Sequence, residues 1–433
     1  MSSLHNTSSS LVTAFPLGEQ RFVKLFMLAF AILLLSAFFV PRFIAYAPGI
    51  LGLLGALGFR LTFKMWPSIP RKAIMIVIGV LALIFASVLW ANITPEHGEI
   101  ALKRAFKIAL VLVPALPLFG VMRSMPTLLL KAYAPKFLIP AFLTGAVFLI
   151  FDLYSNSLLY SLLRDIPWPD INYNLSGLNR SVLFATVFAL TIPALISGYD
   201  GQKKKMLLTI TAIVMGVILY QTHSQSSHLA FVTGLIAFGL CPAAVRGKIW
   251  YILSRSFILI FVASPLIVLW LFSDFAPMIS DVSWFQNGYA PNRMEIWDYV
   301  ARYALDSPIW GHGVDATRVV TEFDSGEIYQ PGKTILHPHN FAIQIWIEFG
   351  MIGAVVFSVV FGTLFQSIKS IPASLSRATA LAVFIALAAA GSTGYGLWQG
   401  WWLGTFIMMT SLCLCIIKTT DDQNLSQGLD KKP

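Results

Sequence analysis

Charge is scarce in this chain. Asp, Glu, Lys and Arg make up only 12% of its 433 residues and 57% are hydrophobic, against roughly 25% charged in a soluble globular domain. That balance excludes a solvated enzyme or binding module. Cysteine is almost absent as well. Cys241, Cys413 and Cys415 all lie in apolar runs, so no extracytoplasmic disulfide framework is available and the Cys-x-Cys spacing has no metal-site logic. A cleavable leader is not expected either. The polar start, Met1 to Gln20, leads into an apolar run too long for a signal h-region, without a small-residue cleavage site. No internal repeat or low-complexity region stands out.

What the chain has in abundance is apolar runs of roughly 20 residues, each long enough to cross a bilayer core of about 30 Å. Twelve spans are expected, over 22–40, 43–63, 73–92, 105–121, 137–162, 181–198, 206–221, 227–245, 249–272, 341–364, 377–393 and 399–417. With the N-terminus in the cytoplasm, 19 of the 30 Lys and Arg residues fall inside and 10 outside, which follows the positive-inside rule. The net charge of +10 is therefore mostly topology and no nucleic-acid footprint. The expected fold is an all-α polytopic membrane protein of about twelve transmembrane helices. Residues 1–433 form one integral membrane domain with both termini cytoplasmic and a short, disordered tail over 418–433.

One loop breaks the pattern of short connections. Residues 273–340 are expected to form a periplasmic subdomain between spans nine and ten, holding nine of the 20 acidic residues and three of the seven histidines. Within it, Asn292 to Leu305 has helical periodicity, with Met294, Trp297, Val300/Ala301 and Ala304/Leu305 on one stripe. Pro291-Asn292 starts that helix, with Glu295 three residues on, and Pro308 and Gly311-His312-Gly313 end it. Its apolar stripe should lie on the bilayer surface or on the bundle. A smaller outer loop covers 164–180. A third leads into Lys103-Arg104-Ala-Phe-Lys107, whose basic residues share one face at headgroup level, placed to meet phosphorylated lipid or simply to snorkel.

The sharpest constellation is His337-Pro338-His339-Asn340. Pro338 pushes His337 towards extended backbone, so the two imidazoles can project to one side. Asn340 is a good N-cap for span ten, and a helix N-terminus facing outward would welcome phosphate. Imidazole takes up a proton near neutral pH. A metal is the other use of His-x-His, but it would need further ligands and no helical ligand pair supplies them. Arg293 can clamp a pyrophosphate bidentately or pair with Glu295 or Asp298. Arg180, beside Asn179, can reach the same cavity or anchor at the interface. Arg302 and Arg318 are weaker candidates. Glu348 and Asp152 are intramembrane carboxylates. Trp398, Trp401 and Trp402 read as an interface belt.

These residues carry a resemblance. His339-Asn340, nine residues and then Gly350-x-x-Gly353, with Asn292-Arg-Met-Glu-Ile-Trp297 and Pro308-x-x-Gly311-x-Gly313 upstream, resembles the O-antigen ligases over roughly 220–360. The resemblance implies transfer of a glycan from undecaprenyl pyrophosphate to lipid A–core oligosaccharide at the periplasmic face of a Gram-negative inner membrane. It implies membrane lipids as the setting, inversion at the anomeric carbon and no metal or other cofactor. His339, with His337 as helper, matches the essential histidine. Arg293 and Arg180 fall on outer-face arginines. The motif residues Asn340, Glu295, Trp297 and His312, and the basic Lys103, Arg104 and Lys107, are expected to serve substrate binding. One departure stands out: where many members carry Ser-Arg at the outer end of span seven, this chain has Thr222-His-Ser-Gln225. An O-antigen polymerase, which takes a second lipid-linked glycan as acceptor, usually has two sizeable outer loops. A protein O-oligosaccharyltransferase shares the domain, and a transporter of lipid-linked sugar also fits twelve spans but shows no inverted repeat.

Overall fold

A computed structural model describes residues 13–168, 171–245, 248–279, 290–320 and 335–429. Among these residues the chain is helical throughout, with no β-strand. The principal helices are α1 (Leu17–Phe39), α2 (Ala47–Phe63), α3 (Arg71–Ser87), α4 (His97–Ser124), α5 (Thr127–Tyr154), α6 (Ile171–Ala189), α7 (Gly201–Gln221), α8 (Gln225–Val245), α9 (Ile249–Val262), α10 (Ser264–Trp270), α11 (Ala290–Asp306), α12 (Phe341–Lys369), α13 (Ser374–Gly391) and α14 (Gly400–Leu429). Eight stretches, in α1, α3, α4, α5, α7, α12, α13 and α14, are long and apolar enough to cross a bilayer. The chain is an all-α polytopic membrane protein.

The remaining expected spans also fall on helices, with instructive differences. The ninth is broken: α9 and α10 meet at 73°, where Pro265 lacks the N–H that would continue the ladder. The fifth begins earlier than expected because Pro126 starts α5 at Thr127. The sixth is displaced towards the N-terminus, α6 ending at Ala189 before a short helical turn over Ile192–Leu195. At the C-terminus, α14 continues through the polar residues to Leu429, so the tail expected to be disordered from Lys418 is helical that far. Lys418 helps hold it there, donating from Nζ to the carbonyls of Arg123, at 2.7 Å, and Met125.

Polar positions inside the bundle are satisfied locally. Asp152, buried near the end of α5, accepts from the amides of Leu159 (2.7 Å) and Tyr160 (3.1 Å), closing the chain reversal that follows. That is a structural use for an intramembrane acid. The loop helix α11 packs on the bundle: Ile296, Val300, Ala301 and Ala304 are buried, and α10 and α12 are its main neighbours. The acids Asp281, Glu322, Asp324 and Glu327 of the long loop, and Asp170, lie outside the described residues.

Candidate active site

The His-Pro-His-Asn turn is held at both ends. Trp297, from α11, donates its indole N–H to the carbonyl of Pro338 at 2.7 Å. His339 takes a left-handed backbone, φ 57°, so the segment turns sharply rather than running extended. The two imidazoles still end on one side, ring centroids 4.1 Å apart at 69°. Asn340 then caps α12, its side-chain oxygen accepting from the amides of Ala342 (3.0 Å) and Ile343 (3.3 Å). Two of the amides expected to meet phosphate are therefore closed by the chain's own cap.

The tautomer of His339 follows from its partner. Nδ1 lies 2.9 Å from the carbonyl of Gly394. A carbonyl only accepts, so Nδ1 carries the proton and Nε2 keeps its lone pair. The base-competent nitrogen is thus selected by the connection between α13 and α14. His337 has no such orienting bond: its Nδ1 is buried without a partner among the described residues.

Gly311, Gly313 and Gly350 of the sequence motif share one mechanical job. Inside α12 the helix opens at Gly350, φ 56° and ψ −148°, a conformation reserved for glycine. Segment 308–313 stitches into the opening. Ile347 and Glu348 carbonyls accept from the amides of His312 (2.7 Å) and Gly313 (2.8 Å), while Met351 and Ile352 donate to Pro308 (2.8 Å) and Ile309 (3.2 Å). A Cβ on Gly311 would stand 2.5 Å from the Glu348 carbonyl carbon. Span ten is therefore two parts. Residues 341–350 are buried entirely in protein, and outward-facing apolar side chains resume only at Met351, Val355 and Val359.

Glu348 belongs to the buried part. Gln344 donates to one carboxyl oxygen at 2.9 Å and the Trp398 indole to the other at 2.5 Å. Gln344 in turn accepts from the amide of Leu397 at 2.8 Å. The acid thus ties the loop after α13, which carries Gly394, to the helix that carries the histidines. Trp398, Trp401 and Trp402 are 5%, 6% and 1% exposed. They are internal struts, and the expected interface belt is not formed.

Positive charge converges on the histidines from separate parts of the chain. Burial first, then His339, Arg318 and Arg180, push His337 down to about 3. His339 is also lowered, by burial and by Arg293, with the Gly394 bond opposing. Tyr395, between α13 and α14, is pushed up to about 12 by burial against the opposing charges of Arg180 and Arg293; its hydroxyl donates to the Asn179 carbonyl at 3.3 Å. Arg180 lies 5.5 Å over the Trp401 ring. Beside His337, a cleft is lined by Arg104, Arg318, Gln344, Trp398 and Gln399.

The structure sorts the expected site residues. The two imidazoles stand side by side, Arg293 bears on His339 and Arg180 on His337, and Arg104 lines the cleft with His337. Lys103 and Lys107 are exposed and do not line it, and Lys103 pairs with Glu99. The helix turn that aims Arg104 inward necessarily aims its neighbours elsewhere. His312 Nε2 donates to the Tyr303 carbonyl at 2.9 Å, as part of the stitched segment. Glu295 is half-buried on α11. Arg302 is occupied by Asp298 on an exposed face, at 2.9 and 3.0 Å. Arg318, a weak candidate from sequence, is central. So are Asp315 and Gly394, which no motif announced. The only available signal for them was proximity to the Gly-x-Gly and Trp-rich stretches.

Residues 210–358 match the O-antigen ligase family model. That stretch is similar to an O-antigen ligase domain. A candidate polysaccharide ligase of Rickettsia prowazekii is 28% identical over 284 residues, covering 61% of this chain and 68% of the relative. Another from Rickettsia bellii is 27% identical over 288 residues, covering 65% and 67%. A third, from Rickettsia conorii, is 30% identical over 135 residues, 30% of this chain and 32% of the relative. The matched ligase domain holds Arg293, Asp315, Arg318, His337 and His339. Arg104, Arg180, Gly394 and Trp398 lie outside it, so the candidate site also draws on α4, on α6 and on the connection between α13 and α14.

Proposed function

We propose that this chain transfers a polysaccharide from undecaprenyl pyrophosphate to lipid A–core oligosaccharide at the periplasmic face of a Gram-negative inner membrane. The observation that carries the reading is His339, its Nδ1–H spent on Gly394, its Nε2 free to accept a proton, and arginines bearing on it and on its neighbour His337. A sugar hydroxyl is a poor nucleophile until a base takes its proton. A pyrophosphate leaves as an anion and needs charge neutralisation more than a proton.

In the proposed step the acceptor hydroxyl oxygen attacks the anomeric carbon from the face opposite the pyrophosphate. The new C–O bond forms as the bond to the pyrophosphate oxygen breaks, with inversion. The hydroxyl proton passes to His339 Nε2, and the electron pair leaves with undecaprenyl pyrophosphate, held by Arg293 and Arg180. The depressed basicity of the empty site fits this order. An arriving pyrophosphate offsets the arginine charge and raises His339 towards a useful range.

The test is purified protein with lipid-linked glycan and rough lipopolysaccharide, read by gel. His339→Ala is expected to lose at least about 100-fold in turnover, and Arg293→Ala to weaken donor use. Near-normal ligation by His339→Ala sinks the assignment. Chain elongation on a second lipid-linked glycan, without product on lipopolysaccharide, would mark a polymerase instead.

A further inference from the structure

The cleft beside His337 has a charge arrangement that the transfer step leaves unused. Asp315, 5% exposed and with a left-handed backbone, bridges two arginines. Arg104 Nε meets it at 2.6 Å and Arg318 Nε at 3.2 Å. One guanidinium suffices to satisfy a buried carboxylate, so the second leaves one net positive charge facing the cleft. The outer nitrogens of both guanidinium groups bond nothing among the described residues, and both groups line the cleft. Gln399 spends its side-chain oxygen on the Trp401 indole at 2.7 Å, which turns its amide nitrogen outward as another donor. His337 Nδ1 is buried and unpartnered among the described residues. Donors exceed acceptors around a cavity that adjoins the histidine pair.

Planar guanidinium forks with a spare amide suit an oxyanion carried on a polar ring. The alternative occupant is the donor pyrophosphate, but Arg180 stacks over Trp401 at 5.5 Å and neither it nor Arg293 lines the cleft. An acceptor hydroxyl has to reach His339 from a neighbouring position, and His337, which lines the cleft, stands 4.1 Å from it ring to ring.

We propose that this narrow cleft is the anion-recognising end of the acceptor subsite: a phosphate or carboxylate carried by the acceptor saccharide seats at its mouth, held by Arg104, Arg318 and Gln399, while the sugar ring stays outside it. Asp315 is a positioning residue, fixing both guanidinium groups by their Nε atoms so that their outer nitrogens face the ligand. The assignment rests on the transferase reading above.

The experiment measures acceptor and donor KM separately on purified full-length protein, with native, dephosphorylated and carboxyl-reduced rough lipopolysaccharide. Arg318→Gln and Gln399→Ala are expected to raise acceptor KM by about tenfold or more, as losing a charge-assisted bond implies, with donor KM unchanged. Wild type should lose the same factor when the recognised anion is stripped from the acceptor, and Arg318→Gln should then lose nothing further. Arg104→Lys, which keeps charge without the fork, guards against a misfolded Arg104→Gln and should show the same acceptor-specific rise. A rise in donor KM instead would move the pyrophosphate into the cleft and overturn the assignment. So would unchanged acceptor KM in the variants, or indifference of wild type to both acceptor treatments. Failure of the transferase reading looks different, since His339→Ala would then keep its turnover.

Discussion

Replacing Gly350 by alanine isolates the mechanical heart of the site without touching a charged group. Gly350 sits at φ 56° and ψ −148°, where a non-glycine residue costs about 1–3 kcal/mol. Its added Cβ would stand 2.6 Å from the carbonyl carbon of Ile309 and 2.8 Å from the amide nitrogen of Gly311. Both are backbone atoms, so relief requires moving segment 308–313 away from α12. That motion puts at risk the four stitching bonds of 2.7–3.2 Å, at about 1 kcal/mol net each. Keeping the stitch means bearing that strain and the sub-3 Å backbone contacts, and releasing it forfeits about 4 kcal/mol of bonding, so the native arrangement is destabilised by several kcal/mol, up to about 4, by either route. The consequence is specific. Residues 341–349 carry the Asn340 cap and Glu348, and through them the placement of His339. Ligation should fall by at least about 100-fold, while the bundle away from the outer face stays folded. The assay pairs ligation with limited proteolysis of the 308–313 segment and thermal stability in detergent. Gly216→Ala, whose new Cβ meets nothing within 4 Å, is the control, expected to be neutral or slightly stabilising. A Gly350→Ala protein with wild-type turnover and unchanged protease resistance would refute the reasoning.

Further outcomes follow from the same geometry. Trp398→Phe removes the indole donor at 2.5 Å from Glu348 and leaves a buried carboxyl oxygen unmet, costing about 1–3 kcal/mol in chemical or thermal unfolding; Tyr395→Phe loses only a 3.3 Å bond and should cost less. Asn340→Ala removes the cap of α12 and should destabilise by about 1 kcal/mol, with Asn340→Asp largely restoring it. Both imidazoles are held below their usual value of 6.5, His337 at about 3. The unfolded chain therefore binds protons that the native state refuses, and the histidine contribution to stability is complete above pH 6.5 and declines as pH falls below it. In kinetics, the acid limb of kcat/KM should lie below pH 6.5, and that of kcat should move upward once the anionic donor is bound. Identical limbs for the two parameters would contradict a base tuned by the pyrophosphate.

Much of this protein was legible from its residues in order. Scarce charge and repeated apolar runs specify a membrane bundle because unsatisfied backbone in lipid leaves an all-helical chain few alternatives. The amphipathic α11 announced itself through a single apolar stripe, found almost where periodicity placed it. His337 and His339 stood out as histidines beside the one long outer loop. Other features depended on the fold. Nothing local tells that Gly350 opens a span, since a glycine inside an apolar run reads as helix until a second segment arrives to take its carbonyls and amides. The Trp398–Trp402 stretch has interface composition, and only packing against Glu348 and Arg180 turned it inward. Lys103, Arg104 and Lys107 looked equivalent, but one turn of α4 separates an arginine paired with Asp315, 211 positions away, from two lysines in the open. The residues of the site were visible one by one in the sequence; their sharing of charge was not, because electrostatic coupling is set by distance through space and by burial, and both are properties of the folded chain alone.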